Sequence, residues 1–453
     1  MPVVQPFRAV RPAGADPIAD RLSPPYDVIS AAERARLAAA PWNPVHVILP
    51  EDDPAQGEGS RYARAARTLR SWFTEGALAR DPDPAFYAYE QEFVHRGRKL
   101  VRRGFMGLLA LSPFGEAGVF AHERTLTAPK EDRFRLLEAT ETNLSPVFAL
   151  YEDPHGDVKR AFHAARERTP LARAGTAEGL EALWALDEAP AVGQVVATLA
   201  AQDVVVADGH HRYESALRHR DARRAAGDAS GVHDFVLACF VDVTDPGLLV
   251  LPTHRVVRGL GAVTATQLAE RLAGTLVVTP LGTVADDDVE GGAERAEAFL
   301  AAHPAGAFVF APAGERAIFG LEVPEALRDR SFGDSSTPAV LRGLDVVQLH
   351  ELILGQGLGI TAETLAAQSH VEYVKSSAEA LAIAWGGGAK SGAVAGAAAA
   401  LPPTGAFLMN GTPVAQVLAV GRASERMPQK STYFLPKITT GWAYHVHEGR
   451  PGA

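Results

Sequence analysis

The chain has 453 residues with 47% hydrophobic and 22% charged side chains, a globular balance that excludes a wholly disordered polymer and is long enough for more than one core. A formal net charge of -10 repels nucleic-acid backbones, so an anion bound here must meet a local cluster of cations and backbone amides. One cysteine, Cys239, excludes an internal disulfide, and its apolar run Phe235–Val241 predicts a buried strand.

The chain opens on Met1-Pro-Val-Val-Gln-Pro-Phe-Arg8, which lacks the charged-then-apolar layout of a secretory signal, and the cytoplasm is the expected compartment. Ser23-Pro24-Pro25-Tyr26-Asp27 disfavours helix and sets a rigid turn. From Arg61 to Leu78, apolar residues at Tyr62, Ala65, Ala66, Leu69 and Phe73 recur at helical spacing. Phe86–Phe93, a turn at Arg96-Gly97-Arg98, and Leu100 to Leu111 read as a hairpin. A charged loop follows, His122-Glu123-Arg124-Thr125, then Pro129-Lys130-Glu131-Asp132-Arg133 leading a helix through Thr140.

Residues 204 to 226 give the clearest unit: the apolar run Val204–Ala207, a tight Asp208-Gly209 turn, and a helix with Tyr213, Ala216, Leu217 and Arg220 in phase. A strand at 235–241, the turn Asp245-Pro246-Gly247 and the stretch Leu248–Pro252 lead into Thr253-His254-Arg255. Beyond about 260 the composition shifts towards Ala, Gly and acidic residues. There the expectation is helix (266–273), strands (306–311, 316–321), helix (346–354), a strand around Phe407–Met409, a helix start at Thr412-Pro413 and a polar tail, Arg426–Thr432. The expected class is mixed α/β. Its domains are an N-terminal segment (1–80), a phosphate-binding domain (81–260), a second α/β domain (261–425) and a tail (426–453) returning to the cleft. The uncharged stretch Ser391–Gly421 is too broken by Pro and Gly to span a membrane.

A strand that ends in Asp-Gly and opens a helix presents first-turn amides and a positive dipole end to an anion. In Asp208-Gly209-His210-His211-Arg212, the glycine lets backbone approach a ligand, Arg212 can fork onto phosphate, and Asp208 can hold a metal or orient a histidine. The bland alternative is a capped, solvated helix start. His122 and Glu123 form a second cluster and Lys130, Asp132 and Arg133 a third, with Glu123 or Asp132 a candidate general base. Only seven lysines occur, and Lys130, Lys430 and Lys437 all fall in these polar segments. His254 and Arg255 repeat the pattern of polar groups after a strand end. His122, His210, His211 and His254 with Asp208 could assemble a metal site, but no zinc spacing supports it. Gly386-Gly-Gly-Ala-Lys390-Ser391 fails as a phosphate loop because Ala384 and Ala389 stand where glycines are needed, and no dinucleotide fingerprint or nucleophile elbow occurs.

These segments resemble a prokaryotic family, domain of unknown function 1015. The likeness rests on Pro24–Ser30, His122–Leu126, Pro129–Arg133, Asn143–Pro146, Ala207–Glu214, Leu251–Arg255 and Arg426–Phe434. More distantly, Gly209-His210-His211-Arg212 resembles the phosphate-binding box of the ParB/sulfiredoxin superfamily. His210 stands where sulfiredoxin carries its reactive cysteine, which excludes sulfinic-acid repair. The branch similar to free serine kinases remains.

That resemblance implies a ParB/sulfiredoxin-like central domain and phosphoryl transfer between a nucleotide (ATP or ADP) or pyrophosphate and a small hydroxyl compound, with serine/O-phosphoserine the favoured pair. Gly209, His210, His211 and Arg212 would hold phosphate, and Asp208 or Glu123 would bind Mg²⁺ or accept the hydroxyl proton, with His122 beside them. Lys130, Arg133, His254, Arg255, Arg426 and Lys430 would neutralise charge. The expected partner is a phosphate-bearing small molecule, with neither nucleic acid nor membrane. The alternatives are a nucleotide-binding regulator without turnover and a metal-dependent phosphatase or hydrolase.

Overall fold

The computed structural model describes residues 1–14, 17–123, 127–228, 231–272, 274–333, 335–386 and 397–447. Arg124, Thr125 and the glycine-rich run from Gly387 to Ser391 lie outside them. The chain divides into two compact units: residues 1–121, 125–249 and 434–453 form the first, and 122–124 with 250–433 the second. Both mix helices and sheet, as a mixed α/β class requires. Among the described residues no helix is long and apolar enough to cross a membrane.

The first unit is built on a nine-stranded mixed sheet. Its strands are β1 (Val4–Gln5), β2 (Phe86–His95), β3 (Arg98–Ala110), β4 (Val119–Ala121), β5 (Val147–Tyr151), β6 (Ala172–Thr176), β7 (Gly179–Leu186), β8 (Val204–Asp208) and β9 (Phe235–Asp242). They run in the order β4-β8-β5-β9-β3-β2-β7-β6, with β1 on β3. The β2–β3 hairpin turns through Arg96 and Gly97, both in the left-handed region at φ 48° and 72°. Every residue of β5 is buried, as are Val204–Ala207: Val147, Ala149, Val204 and Val206 share one apolar core with the helix residues Phe162, Leu199 and Tyr213, and Phe148 on the opposite face meets the Phe434 ring at 5.3 Å.

The helices of this unit include α1 (Ser60–Thr74), α2 (Thr127–Thr140), α3 (Asp157–Arg166), α4 (Ala189–Ala200) and α5 (His210–Ala225). Phe105 anchors the core on the α3 side, stacked on Phe162 at 4.8 Å and on Phe240 at 4.9 Å. Tyr213 and Ala216 turn the buried face of α5 to the sheet, and the Tyr213 hydroxyl donates to Ser112 O at 2.8 Å. A buried carboxylate, Glu181, ties distant segments together. It accepts from Tyr89 and Trp442 at 2.6 Å on one oxygen and from Thr439 at 2.6 Å and Gln91 at 3.0 Å on the other.

The second unit has a six-stranded antiparallel sheet of β10 (His254–Arg258), β11 (Val277–Thr283), β12 (Ala307–Pro312), β13 (Ala317–Glu322), β14 (Val371–Val374) and β15 (Pro403–Met409), ordered β11-β13-β12-β15-β10-β14. Helices α6 (Val289–Ala302) and α7 (Ser377–Ala384) share its apolar core with Val256, Val309 and Leu408. The helix expected over 346–354 is α-helical only from Asp345 to Gln348 and continues as π-helix from Leu349 to Gly357.

Candidate functional site

β8 enters the site from the sheet interior, paired parallel to β4 and antiparallel to β5. Its register slips between Val206 and Asp208, so the strand leaves the ladder as the Asp208 side chain is reached. Gly209 then adopts φ +83°, a left-handed conformation that turns the chain into α5 without a side-chain cap. An α-helix leaves its first-turn amides without acceptors of its own. The Arg212 guanidinium folds back over the turn: a Cβ on Gly209 would lie 2.9 Å from its Cζ.

Two cations converge on Asp208. Lys437 donates to Oδ2, and Arg212 Nη2 lies 3.8 Å from Oδ1, which also accepts from the Gly209 amide at 2.6 Å. Burial alone would raise this carboxyl. The Lys437 ammonium and then Arg212 overrule it and hold Asp208 well below the usual carboxylate range. Arg212 also donates to Pro146 O, while its Nε is buried with no hydrogen-bond partner among the described residues.

Arg212 lines two small cavities. One, of about 50 Å³, is also walled by Tyr26, Arg133, Asn143, Ser145 and Ser215. The other, of about 10 Å³, is bounded by Pro25, Pro146, Asp208 and Lys437 among others. Arg133 lies over the Tyr26 ring at 4.1 Å and donates to Asp132 at 2.8 Å and to Ile48 O at 2.7 Å. Lys130, one turn earlier on α2, stands 3.5 Å from Glu214 on α5, and Ser215 donates to its carbonyl at 3.0 Å. His210 is buried and His211 half-buried at the start of α5.

The remaining sequence candidates belong to the second unit. His122 is fully buried, its Nε2 2.9 Å from Thr432 Oγ1. Glu123 accepts from the Lys430 amide at 3.0 Å, which brings these two together through the Lys430 backbone. His254 accepts from the Met409 amide at 3.3 Å and stands 3.1 Å from Ser377 Oγ, which donates to Glu297 at 2.8 Å. Arg255 is also fully buried. Its donors go to His350 at 3.1 Å, Lys430 O at 3.2 Å and Thr253 O, and burial pulls its guanidinium down to about 10. Arg426 donates to the Glu425 carbonyl at 2.9 Å.

Sequence reasoning gave Lys437 no role, although it sits 229 residues from Asp208 and still pairs with it. The one signal was lysine scarcity. Tyr26, Ser145 and Pro146 fall inside motifs already singled out, without an assigned task. Chemically, the first unit offers Arg212, Lys437 and Arg133 as anion partners near an ionised carboxylate.

Solved structures to which the chain is similar include free serine kinase in complex with AMP, at 14% identity and a TM-score of 0.31 over 72% of this chain and 88% of that one. A conserved hypothetical protein from Pyrococcus furiosus is similar at 14% identity and a TM-score of 0.31, over 71% of this chain and 89% of its own. C-terminally truncated SbnI from Staphylococcus aureus shares 12% identity at a TM-score of 0.32, over 73% of this chain and 84% of its own. No curated protein matches the chain. A family model covers residues 4–347, more than half of the sequence, and the chain therefore belongs to the family described as "Protein of unknown function (DUF1015)".

Proposed function

We propose that the β8–Gly209–α5 junction binds the phosphate of a small-molecule substrate and that the protein is a phosphotransferase acting on a small hydroxyl metabolite. The observation that carries this reading is an Asp208 carboxylate held ionised by Lys437 and Arg212 at the end of a buried strand, beside a helix N-terminus. The serine/O-phosphoserine pair, with ATP, ADP or pyrophosphate as donor, follows from the resemblance of the Gly209–Arg212 box to the free-serine-kinase branch. All of these residues belong to the first unit.

Phosphoryl transfer asks mainly for positioning and charge neutralisation. An arriving phosphate competes with Asp208 for Lys437 and Arg212. As those cations turn to the phosphate oxygens, Asp208 loses the charges that depress its basicity and becomes able to accept a proton. The substrate hydroxyl oxygen then bonds to phosphorus, its proton passes to Asp208, and the bond to the leaving phosphate oxygen breaks. Arg212 and Lys437 stabilise the charge that builds on the leaving group. A magnesium ion brought with the nucleotide would neutralise charge on its phosphates. Both Asp208 oxygens are engaged, and a magnesium ion there requires Lys437 to leave first.

The test is phosphorus NMR of purified protein incubated with serine or O-phosphoserine and each of ATP, ADP and pyrophosphate, with magnesium. Exchange of phosphate between donor and serine supports the reading. Phosphoserine hydrolysis without nucleotide overturns it in favour of a phosphatase, and ligand-induced melting shifts without chemistry overturn it in favour of a regulator.

A further inference from the structure

Three histidines that the phosphate site does not use meet elsewhere in the first unit. His219 lies on the second half of α5, His233 in the short 3-10 turn Val232–Asp234, and His447 directly after the strand His445–Val446. All three are buried, at 3%, 6% and 3% exposure. One ring nitrogen from each falls within 4.8 Å of the other two. Ring centroids are 4.6 Å apart for His233 and His447, 5.0 Å for His219 and His233, and 5.7 Å for His219 and His447. Among the described residues this is the group of three such side chains close enough to share an ion.

The hydrogen bonding assigns the proton on His233. Its Nε2 lies 3.2 Å from Asp228 Oδ2, and a carboxylate only accepts, so Nε2 carries the hydrogen and Nδ1 of the neutral ring presents a lone pair. That lone pair faces His447 Nδ1 at 2.9 Å. Two opposed ring nitrogens at this distance need a proton or a cation between them. If His447 supplies the proton from Nδ1, its Nε2 becomes a bare acceptor, and that atom is buried with no hydrogen-bond partner among the described residues. A buried acceptor left without a donor loses its water partners and gains nothing in return. The protein-only network is therefore incomplete.

Tetrahedral nitrogen ligands 2.0–2.1 Å from a zinc ion stand about 3.3 Å apart, so a few tenths of an ångström separate the observed pair from metal geometry. A carboxylate holding the far nitrogen of a ligating imidazole is the arrangement that orients metal-bound histidines, and Asp228 holds that position. Asp228 is itself fixed by Arg223, at 3.0 Å from Nε and 2.6 Å from Nη2. Three buried imidazoles select zinc, cobalt, nickel or copper over magnesium and calcium.

We propose that His219, His233 and His447 bind one divalent transition-metal ion of the zinc class, with Asp228 orienting His233. The site ties the chain's last described strand, which pairs His445–Val446 with Thr142–Asn143, to the helix that begins at the phosphate-binding turn. Its role is structural and stands apart from phosphoryl transfer.

The experiment uses the full chain without a histidine tag, purified without chelator. Mass-spectrometric metal analysis is expected to find about one zinc per chain, as a three-histidine site takes a single ion. Cobalt substitution is expected to give visible d–d bands without a thiolate charge-transfer band, because the site contains no cysteine. Asp228→Asn should weaken zinc binding roughly 10–100-fold, and His447→Gln should remove it. Chelation should lower the melting temperature of wild-type protein and added zinc restore it, a readout that does not depend on any variant folding. The proposal is overturned by wild-type protein that neither retains nor takes up zinc, or by a His447→Gln protein that is folded by circular dichroism and binds zinc as tightly as wild type.

Discussion

Among the charges that hold Asp208 ionised, Lys437 contributes most. Its ammonium is nearly buried, 9% exposed at the side chain, against 25% for Asp208. Replacing it with methionine leaves the carboxylate with the Gly209 amide and the more distant Arg212, and losing one partner of a largely buried pair costs about 3–5 kcal/mol at neutral pH. The sign of the pH dependence follows from Asp208. A carboxyl depressed in the folded state contributes stability that is present above its unfolded value near pH 4 and lost as pH falls below it. Lys437→Met removes most of that contribution, so the gap between wild type and variant should be full at pH 7 and close progressively below about pH 4. Urea unfolding at a series of pH values checks this; a gap independent of pH contradicts the pairing. None of it was readable locally, since lysine scarcity marked the residue but nothing in the sequence marks a partner 229 positions away.

The strand–turn–helix element was far more legible. Four apolar residues followed by Asp-Gly and an in-phase helix predict what is seen, β8 ending at Asp208 and α5 starting at His210. The β2–β3 hairpin and the buried strand around Cys239 were read for the same reason: both have strong local periodicity and turn chemistry. Periodicity failed where geometry changes without changing the apolar pattern, as at the π-helical turn from Leu349 to Gly357. The element's weak point is Gly209. Gly209→Ala forces a side chain into φ +83°, costing about 1–2 kcal/mol, and sets a Cβ against the Arg212 guanidinium. The expected result is a loss of about 1–3 kcal/mol together with weaker phosphate-ligand binding, because Arg212 must move. Thermal melting with and without pyrophosphate measures both, and a variant equal to wild type in both would contradict the tight turn.

Across the whole molecule, the first unit closes by bringing the two ends of the described chain together. Val10 bridges Tyr444, Ser23 bridges Thr440, and Trp442 donates to Glu181 at 2.6 Å. Such pairings leave no periodic signal, which is why the partners of residues 434–447 are not legible in the sequence. Trp442→Phe keeps an aromatic ring and deletes the indole donor, leaving Glu181 one hydrogen bond short; a destabilisation of about 1–3 kcal/mol should appear in denaturant unfolding.

At this scale too, a net charge of -10 gives an anion no general attraction, so binding must come from the few cations placed at one corner. Calorimetric titration of pyrophosphate into wild-type protein and Arg212→Ala tests that most directly. Wild type should bind, and the variant, still folded by circular dichroism, should bind at least tenfold more weakly, about 1.4 kcal/mol or more. Equal affinity in the two proteins, or no heat from either, would contradict the phosphate site.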